Sequence, residues 1–230
     1  SATLSNGSGS LLTGAADSVL TITGPFSFTG SGVSQFAGFD GTVIVPPGSQ
    51  LRFSSTSGSN GNGGANTTFQ INGLMNTRNA GGANGVVLGA LTGTGSIQGQ
   101  SNTTAGTVVY HIGAKNLDTT FSGIIANGAN GTAAINKLGT GTLTLAGAST
   151  HTGTTTVTAG RLSVTGSLAA TPVTVATTGT LLGYTENQAA TVVDSGVTVS
   201  DVDNGNLSSA TVSISANFAT GQDVLAFVDQ

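Results

Sequence analysis

The chain has 230 residues, of which 37 are glycine and only 6% are charged. An average globular domain carries about 25% charged residues and about 7% glycine, so helical bundles, coiled coils and nucleotide-binding folds are poorly supported. The absence of Cys excludes a disulfide scaffold, a thiolate metal site and a thiol enzyme. The mean hydropathy of +0.22 is too high for a disordered Gly/Ser/Thr tail. The composition therefore predicts a folded, all-β protein.

The net charge is only -4, and the cations are spread singly along the sequence at Arg52, Arg78, Lys115, Lys137 and Arg161. Phosphate binding needs clustered Lys and Arg, so we expect no nucleic-acid partner. No run of 18 apolar residues occurs, so we expect no transmembrane segment. The first ten residues lack the basic flank and apolar stretch of a signal peptide. An exported protein would therefore be represented here by its mature form or by an internal piece.

Short runs of apolar and β-branched residues, each closed by Gly, Asn, Ser or Pro, follow one another to about residue 183. They predict strands at Ser18–Thr23, Gly41–Val45, Gln50–Ser54, Thr67–Ile71, Gly85–Leu88, Gly95–Gln98, Val108–Ile112, Thr119–Ile125, Gly141–Leu145, Thr154–Thr158, Arg161–Val164 and Val173–Ala176. A spacing of 8 to 12 residues suits a sandwich, a barrel or a β-helix. No stretch has helical apolar periodicity, so we expect almost no helix. Two stretches rich in Gly and Asn, Ser57–Asn66 and Asn76–Gly85, are predicted to be loops.

Self-similarity favours a solenoid over a sandwich or a barrel. The segments Lys137–Gly147, Thr152–Val164 and Thr174–Leu182 repeat one pattern, in which a strand leads through a glycine corner into a second strand. Glycine supplies the positive φ and the close backbone approach that such corners need. We therefore predict a right-handed parallel β-helix over residues 1–183. We expect most of the phenylalanines in this region to lie in its core, namely Phe26, Phe28, Phe36, Phe39, Phe53, Phe69 and Phe121.

The composition of the sequence changes after Gly183: the only Glu and five of the eight Asp fall in the last 47 residues. We predict a second module over residues 184–230, a small, incomplete β-sandwich. Forty-seven residues cannot bury a two-sheet core alone. Continuation into a longer chain, or a second chain, would have to complete this module.

Residues Thr119–Ile125 and Asn136–Val164 closely resemble the autotransporter-associated β-strand repeat of large secreted or surface-displayed bacterial proteins. The resemblance implies an elongated β-helix that serves as a stalk, adhesin or scaffold at the bacterial cell surface or outside the cell. Where that family usually has an aromatic residue before Thr-Gly, this sequence has His151. The tail segments Val197–Leu207 and Gly221–Phe227 are similar to the opening half of bacterial cadherin-like repeats.

The best ligand candidate is a group of hard oxygen donors in the tail, of the kind that calcium prefers. It consists of Glu186, Asp201, Asp203 and Asn204, followed by Gly205. The alternative interpretation is an Asx-rich turn between strands. Calcium is thus the candidate metal, and the sequence suggests no other cofactor.

Catalysis finds little support in the sequence. His111 and His151 are the only histidines, and we interpret both as structural or surface residues, with Tyr110 and His111 pointing to opposite faces of one strand. A β-helix enzyme acting on polysaccharide would need paired carboxylates, and no two acids fall within one strand of residues 1–183. Threonine-rich strands such as Thr154–Thr158 give only part of the regular ladder that an ice-binding face would need.

These observations predict a non-enzymatic, structural extracellular protein. In the leading hypothesis it is a surface scaffold or a filament subunit that assembles with itself by end-to-end stacking or β-strand addition. In that version a neighbouring chain donates the N-terminal segment Ser1–Ser10 to the tail module. The alternatives are an adhesin or stalk segment of a larger secreted protein, with surface carbohydrate as a candidate partner, and a polysaccharide-active enzyme.

Overall fold

The structure is a computed structural model that describes residues 2–5, 12–29, 35–54, 62–78, 85–101, 106–169 and 171–175. Throughout these residues the regular secondary structure is strand, with no helix and therefore no helix that could cross a membrane. The strands are β1 (Ala2–Ser5), β2 (Thr13–Gly14), β3 (Val19–Thr21), β4 (Pro25–Thr29), β5 (Gly38–Phe39), β6 (Thr42–Val45), β7 (Gln50–Ser54), β8 (Asn62–Ile71), β9 (Leu74–Arg78), β10 (Val86–Thr92), β11 (Ser96–Gln100), β12 (Gly106–Ile112), β13 (Thr119–Phe121), β14 (Ile124–Ala126), β15 (Gly131–Lys137), β16 (Thr142–Leu145), β17 (Ala148–Ser149), β18 (Thr155–Val157), β19 (Arg161–Val164), β20 (Ser167–Leu168) and β21 (Val173–Val175).

The sheets are built from strands of successive coils, and each described strand pairing is parallel. The larger sheet has eight strands in the order β3-β6-β8-β10-β12-β15-β18-β21. A second sheet has six strands in the order β1-β4-β7-β9-β11-β14, and a third, of three strands, runs β13-β16-β19. Regular parallel pairing between segments about one coil apart is the signature of a solenoid. The predicted all-β parallel β-solenoid is therefore confirmed.

The length of a coil can be read from the residues that pair across neighbouring strands. Thr42 pairs with Thr68, 26 residues further along the chain, and Val108 pairs with Ala133, 25 residues further. Near residue 175 the coils are shorter, because Thr155 pairs with Val173.

The core is a column of apolar side chains that runs from coil to coil between the sheets. It includes a cluster of phenylalanines in the first coils, where Phe28 stacks on Phe53 with ring centroids 6.0 Å apart and meets Phe36 edge to face at 5.1 Å. Six of the seven phenylalanines predicted to be internal are buried, and Phe26 is half-buried against the same cluster. In later coils smaller residues such as Val108, Ala133 and Ile135 take over.

Most predicted strands are present, but their boundaries and several loops differ. Gln50–Ser54 and Arg161–Val164 match their predictions, whereas Thr119–Ile125 is two strands separated by Ser122 and Gly123. The loop predictions were wrong at residues 62–66 and 76–78, which belong to the strands Asn62–Ile71 and Leu74–Arg78. Here pairing to neighbouring coils overrides the low β propensity of Gly and Asn. The predicted strand Thr67–Ile71 is confirmed as the second half of Asn62–Ile71.

The strand Gly131–Lys137 was not predicted at all. Its sequence has two alanines and a lysine, which are depleted from strands, yet it pairs along its whole length with Gly106–Ile112. The predicted boundary near residue 183 and the predicted module 184–230 lie outside the described residues. They stay predictions.

Candidate functional site

The predicted calcium ligands Glu186, Asp201, Asp203 and Asn204 lie outside the described residues. Among the residues that are described, no three His, Asp or Glu side chains lie close enough to hold a metal ion.

One corner of the solenoid is a column of glycines stacked coil upon coil. Gly73, Gly95, Gly123, Gly147 and Gly166 each lie against the preceding coil. A Cβ atom added to Gly95 would sit 2.1 Å from the carbonyl oxygen of Gly73, and one on Gly123 would sit 2.0 Å from that of Gly95. Any side chain larger than hydrogen would push the coils apart, so this column requires glycine for close approach.

A second glycine column turns the chain with positive φ. Gly113, Gly139 and Gly160 have φ values of +110°, +69° and +65°, in the region that favours glycine. A Cβ on Gly139 would lie 2.0 Å from the carbonyl oxygen of Gly113. The two columns confirm the prediction that glycine forms the corners, and Gly93 with φ +112° is likewise a corner.

Side chains at the corners accept hydrogen bonds from the backbone of the next coil. The Asn72 carbonyl oxygen accepts from the Thr94 amide at 3.2 Å, and that of Asn116 accepts from the Thr140 amide at 2.9 Å. The Asp118 carboxylate accepts from the Thr142 amide at 2.6 Å. Such bonds satisfy amides that the turning backbone leaves without strand partners.

Lys137 is an unexpected internal residue, with only 1% of its surface exposed. Its position in the register puts it between Ile112 and Val157. The ammonium group donates to the carbonyl oxygens of Leu138, Gly139 and Ala159 at 2.5, 2.9 and 3.1 Å. Burial lowers the pKa of Lys137, and the carboxylate of Asp118 opposes this. The side chain thus ties one coil to the next at a glycine corner.

The two histidines take different places. Tyr110 is fully buried and its hydroxyl donates to the Gln98 carbonyl, whereas His111 is half-buried on the opposite face of the strand, as predicted. The amide of Asn136 lies 3.3 Å from Nδ1 of His111, one coil away. Burial raises the pKa of Tyr110 and lowers that of His111.

His151 is fully buried at the corner before β18. Its Nε2 atom lies 3.0 Å from the hydroxyl oxygen of Thr155, which is also buried. Burial lowers the pKa of His151, while the Ile125 carbonyl has the opposite effect. Neither residue is open to a substrate, so the pair packs the corner in the place where the related repeat usually has an aromatic residue.

A shallow groove of about 440 Å³ lies on the outward side of the eight-stranded sheet and crosses four coils. Its lining is mainly threonine with a few small apolar residues: Thr107, Val109, Thr132, Ala134, Ile135, Asn136, Thr152, Gly153, Thr154, Thr156 and Pro172. The hydroxyl oxygens of Thr107 and Thr132 are 2.7 Å apart across neighbouring coils. Thr142 and Thr144, which alternate along another threonine-rich strand, belong to the three-stranded sheet and do not extend this row.

Taken together, the described polar side chains bond mostly to adjacent coils. The sequence could have revealed the contacts of Lys137 and Asn116 only through the coil period, because each side chain bonds to a residue more than 20 positions away. These bonds join successive coils of the solenoid.

A comparison with protein families agrees with this interpretation. Residues 135–164 match the model of the passenger-associated-transport-repeat, a repeat of autotransporter passengers. No curated protein and no solved structure matches the chain. The matched residues include Lys137, His151 and both glycine columns where they run through β15 to β19. Residues 135–164 are therefore similar to a repeat of autotransporter passengers and lie within a β-solenoid.

Proposed function

We propose that this protein is a structural, non-enzymatic scaffold segment of a secreted or surface-exposed bacterial passenger. The observation that supports the proposal is that polar side chains at the corners bond to the neighbouring coil. Asn116, Asp118 and Lys137 each bond to the neighbouring coil, within or beside the matched repeat. A stack fastened in this way resists local opening, because each coil is bonded to both neighbours.

The scaffold role is tested in cells that produce the full gene product. Antibody labelling and protease treatment of intact cells should detect these residues outside the cell, and hydrogen exchange of the purified protein should show strong protection of β12, β15 and β18. A protein found only inside the cell would contradict the proposal. So would fast exchange throughout these three strands.

End-to-end assembly is a second candidate, favoured by the last described coil. Val173 and Val175 continue the inward columns of Thr155 and Val157 in register, yet 57% and 66% of their surfaces are exposed. Covering them with another coil, from the residues that follow in the chain or from a second copy, would remove apolar surface from water. The N-terminal strand β1 already pairs with β4 of its own chain, so a donated N-terminal strand would first have to leave that sheet. We therefore favour stacking of ends over strand donation.

Sedimentation velocity over a concentration series tests this second candidate. A self-associating protein should become monomeric when Val175→Asp places a charge on the last described coil, whereas Leu117→Asp, at an exposed position between β12 and β13 inside the stack, should leave association unchanged. A wild-type protein that stays monomeric at all concentrations would refute assembly and leave the scaffold role standing.

A further inference from the structure

The charge of the solenoid is distributed unevenly along the sequence. No Asp or Glu occurs between Asp40 and Asp118, whereas three of the five cations, Arg52, Arg78 and Lys115, fall there. This stretch therefore carries positive charge in a protein whose net charge is -4.

Arg52 and Arg78 are far apart in sequence but lie on adjacent strands of the six-stranded sheet. Arg52 in β7 pairs with Asn76 in β9, and Arg78 follows two residues later on the same face. With strands about 4.8 Å apart and a rise of about 3.3 Å per residue, their Cα atoms are about 8 Å apart. Two cations that the sequence presents as isolated thus form a pair, because their separation is close to one coil.

The Arg52 side chain is held in place by its neighbours on that face. Its Nε atom donates to the carbonyl oxygen of Asn76 at 3.1 Å, and the amide of Gln50 donates to the same oxygen at 3.0 Å. Asn76 itself is only 3% exposed, so it forms a rigid base for both side chains. A guanidinium fixed through Nε still presents its two terminal nitrogens, in the planar geometry that matches carboxylate or sulfate.

Among the described residues, no acid lies on the strands of this face to neutralise the pair. The six strands of the sheet contain no Asp or Glu. Lys115, the third cation of the stretch, is directed elsewhere, since its ammonium donates to the Asp40 carbonyl at 2.8 Å and to the Thr68 hydroxyl at 3.2 Å. The two arginines are therefore the charged groups that this face offers to a partner.

We propose that the Arg52–Arg78 face binds an acidic polysaccharide through its carboxylate or sulfate groups. Charge complementarity selects an anionic chain. Nucleic acid is disfavoured, because the face offers two cations and its outward positions carry no aromatic ring for base stacking. The neighbouring Gln50 and Ser54, which alternate outward with Arg52, supply hydrogen-bonding groups suited to sugar hydroxyls. The inference does not depend on the scaffold role.

Binding of polygalacturonate, heparin and neutral dextran to the full chain tests the proposal, at low and at high salt. We expect the wild type to bind at least one of the two acidic polymers, with an affinity that falls with salt, and not to bind dextran. A preference between the two would tell carboxylate from sulfate. Loss of each charge-assisted contact should weaken binding about tenfold, so Arg52→Gln/Arg78→Gln should bind far less tightly.

Arg161→Gln is the matched control, because it removes the same charge from an exposed residue of the three-stranded sheet. It should retain wild-type affinity. Arg78→Gln alone gives the same test at an exposed end of β9, in case the double variant folds poorly. Equal weakening by Arg161→Gln, unchanged binding by the arginine variants, or equal binding of dextran would overturn the proposal, as would a wild type that binds neither acidic polymer.

Discussion

Replacing Gly123 by alanine should destabilise the solenoid in a way that its structure quantifies. The added Cβ atom would lie 2.0 Å from the Gly95 carbonyl oxygen and 2.5 Å from the Phe121 ring, so the backbones of two coils must separate. Overpacking typically costs about 1–3 kcal/mol. Weakening the bond from the Ile124 amide to that same carbonyl, 3.0 Å long in the native fold, adds about 1 kcal/mol. We expect the free energy of unfolding to fall by about 2–4 kcal/mol.

Urea unfolding and thermal melting measure this loss. A protein of this size should melt about 2–4 °C lower for each kcal/mol. The control is Gly106→Ala, where the nearest atom to the new Cβ is the Gln100 side-chain nitrogen at 3.1 Å and φ is not positive. That exposed site should change stability by no more than about 0.5 kcal/mol. If the Gly123 and Gly106 variants were equally stable, the glycine column would not be the close contact described above.

Two further predictions concern protons and calcium. Burial lowers the pKa of His151 below its usual 6.5, so below that pH the unfolded chain binds more protons than the native one. Stability to urea should therefore fall as the pH drops below about 6.5, and it should fall less steeply in His151→Gln. An unchanged pH dependence in that variant would exclude His151 as a source of the effect. If Glu186, Asp201, Asp203 and Asn204 bind calcium, added Ca²⁺ should raise the melting temperature of the wild type and not of Asp203→Ala, whereas equal shifts in both would favour the Asx-rich turn.

The solenoid could be predicted from local signals, because its corners and strands are short and repeat along the sequence. Glycine at Gly139 and Gly141, followed by the alternation of Thr142–Leu145, already indicates a corner and a strand. The strand Gly131–Lys137 could not be predicted this way, since its alanines and lysine have low strand propensity and only pairing with Gly106–Ile112 makes it extended. Tertiary context decided this element.

The candidate sites likewise contain some features that the sequence predicts and others that it does not. The contact of Lys137 depends on which carbonyl group lies in the next coil, and the full burial of His151 depends on the coils packed around it. A single sequence does not state that register. The proximity of Arg52 and Arg78 could not be predicted either, because a single sequence does not state which residues of neighbouring coils lie side by side. Once the coil length of about 25 residues is known, it brings the two arginines together. Conversely, the importance of glycine at the corners follows directly from backbone chemistry.

The scaffold role depends on the stacking of coils in parallel register. A pair of engineered cysteines tests this register most directly, because the chain has no native Cys. Thr107 and Thr132 face each other on neighbouring coils, and their Cα atoms, about 4.8 Å apart, are within the range that a disulfide spans. Mild oxidation of Thr107→Cys/Thr132→Cys should therefore form the bond. Thr107→Cys/Ala133→Cys should not, because Ala133 is buried on the opposite face. Efficient bonding of the second pair, or none in the first, would contradict the parallel register.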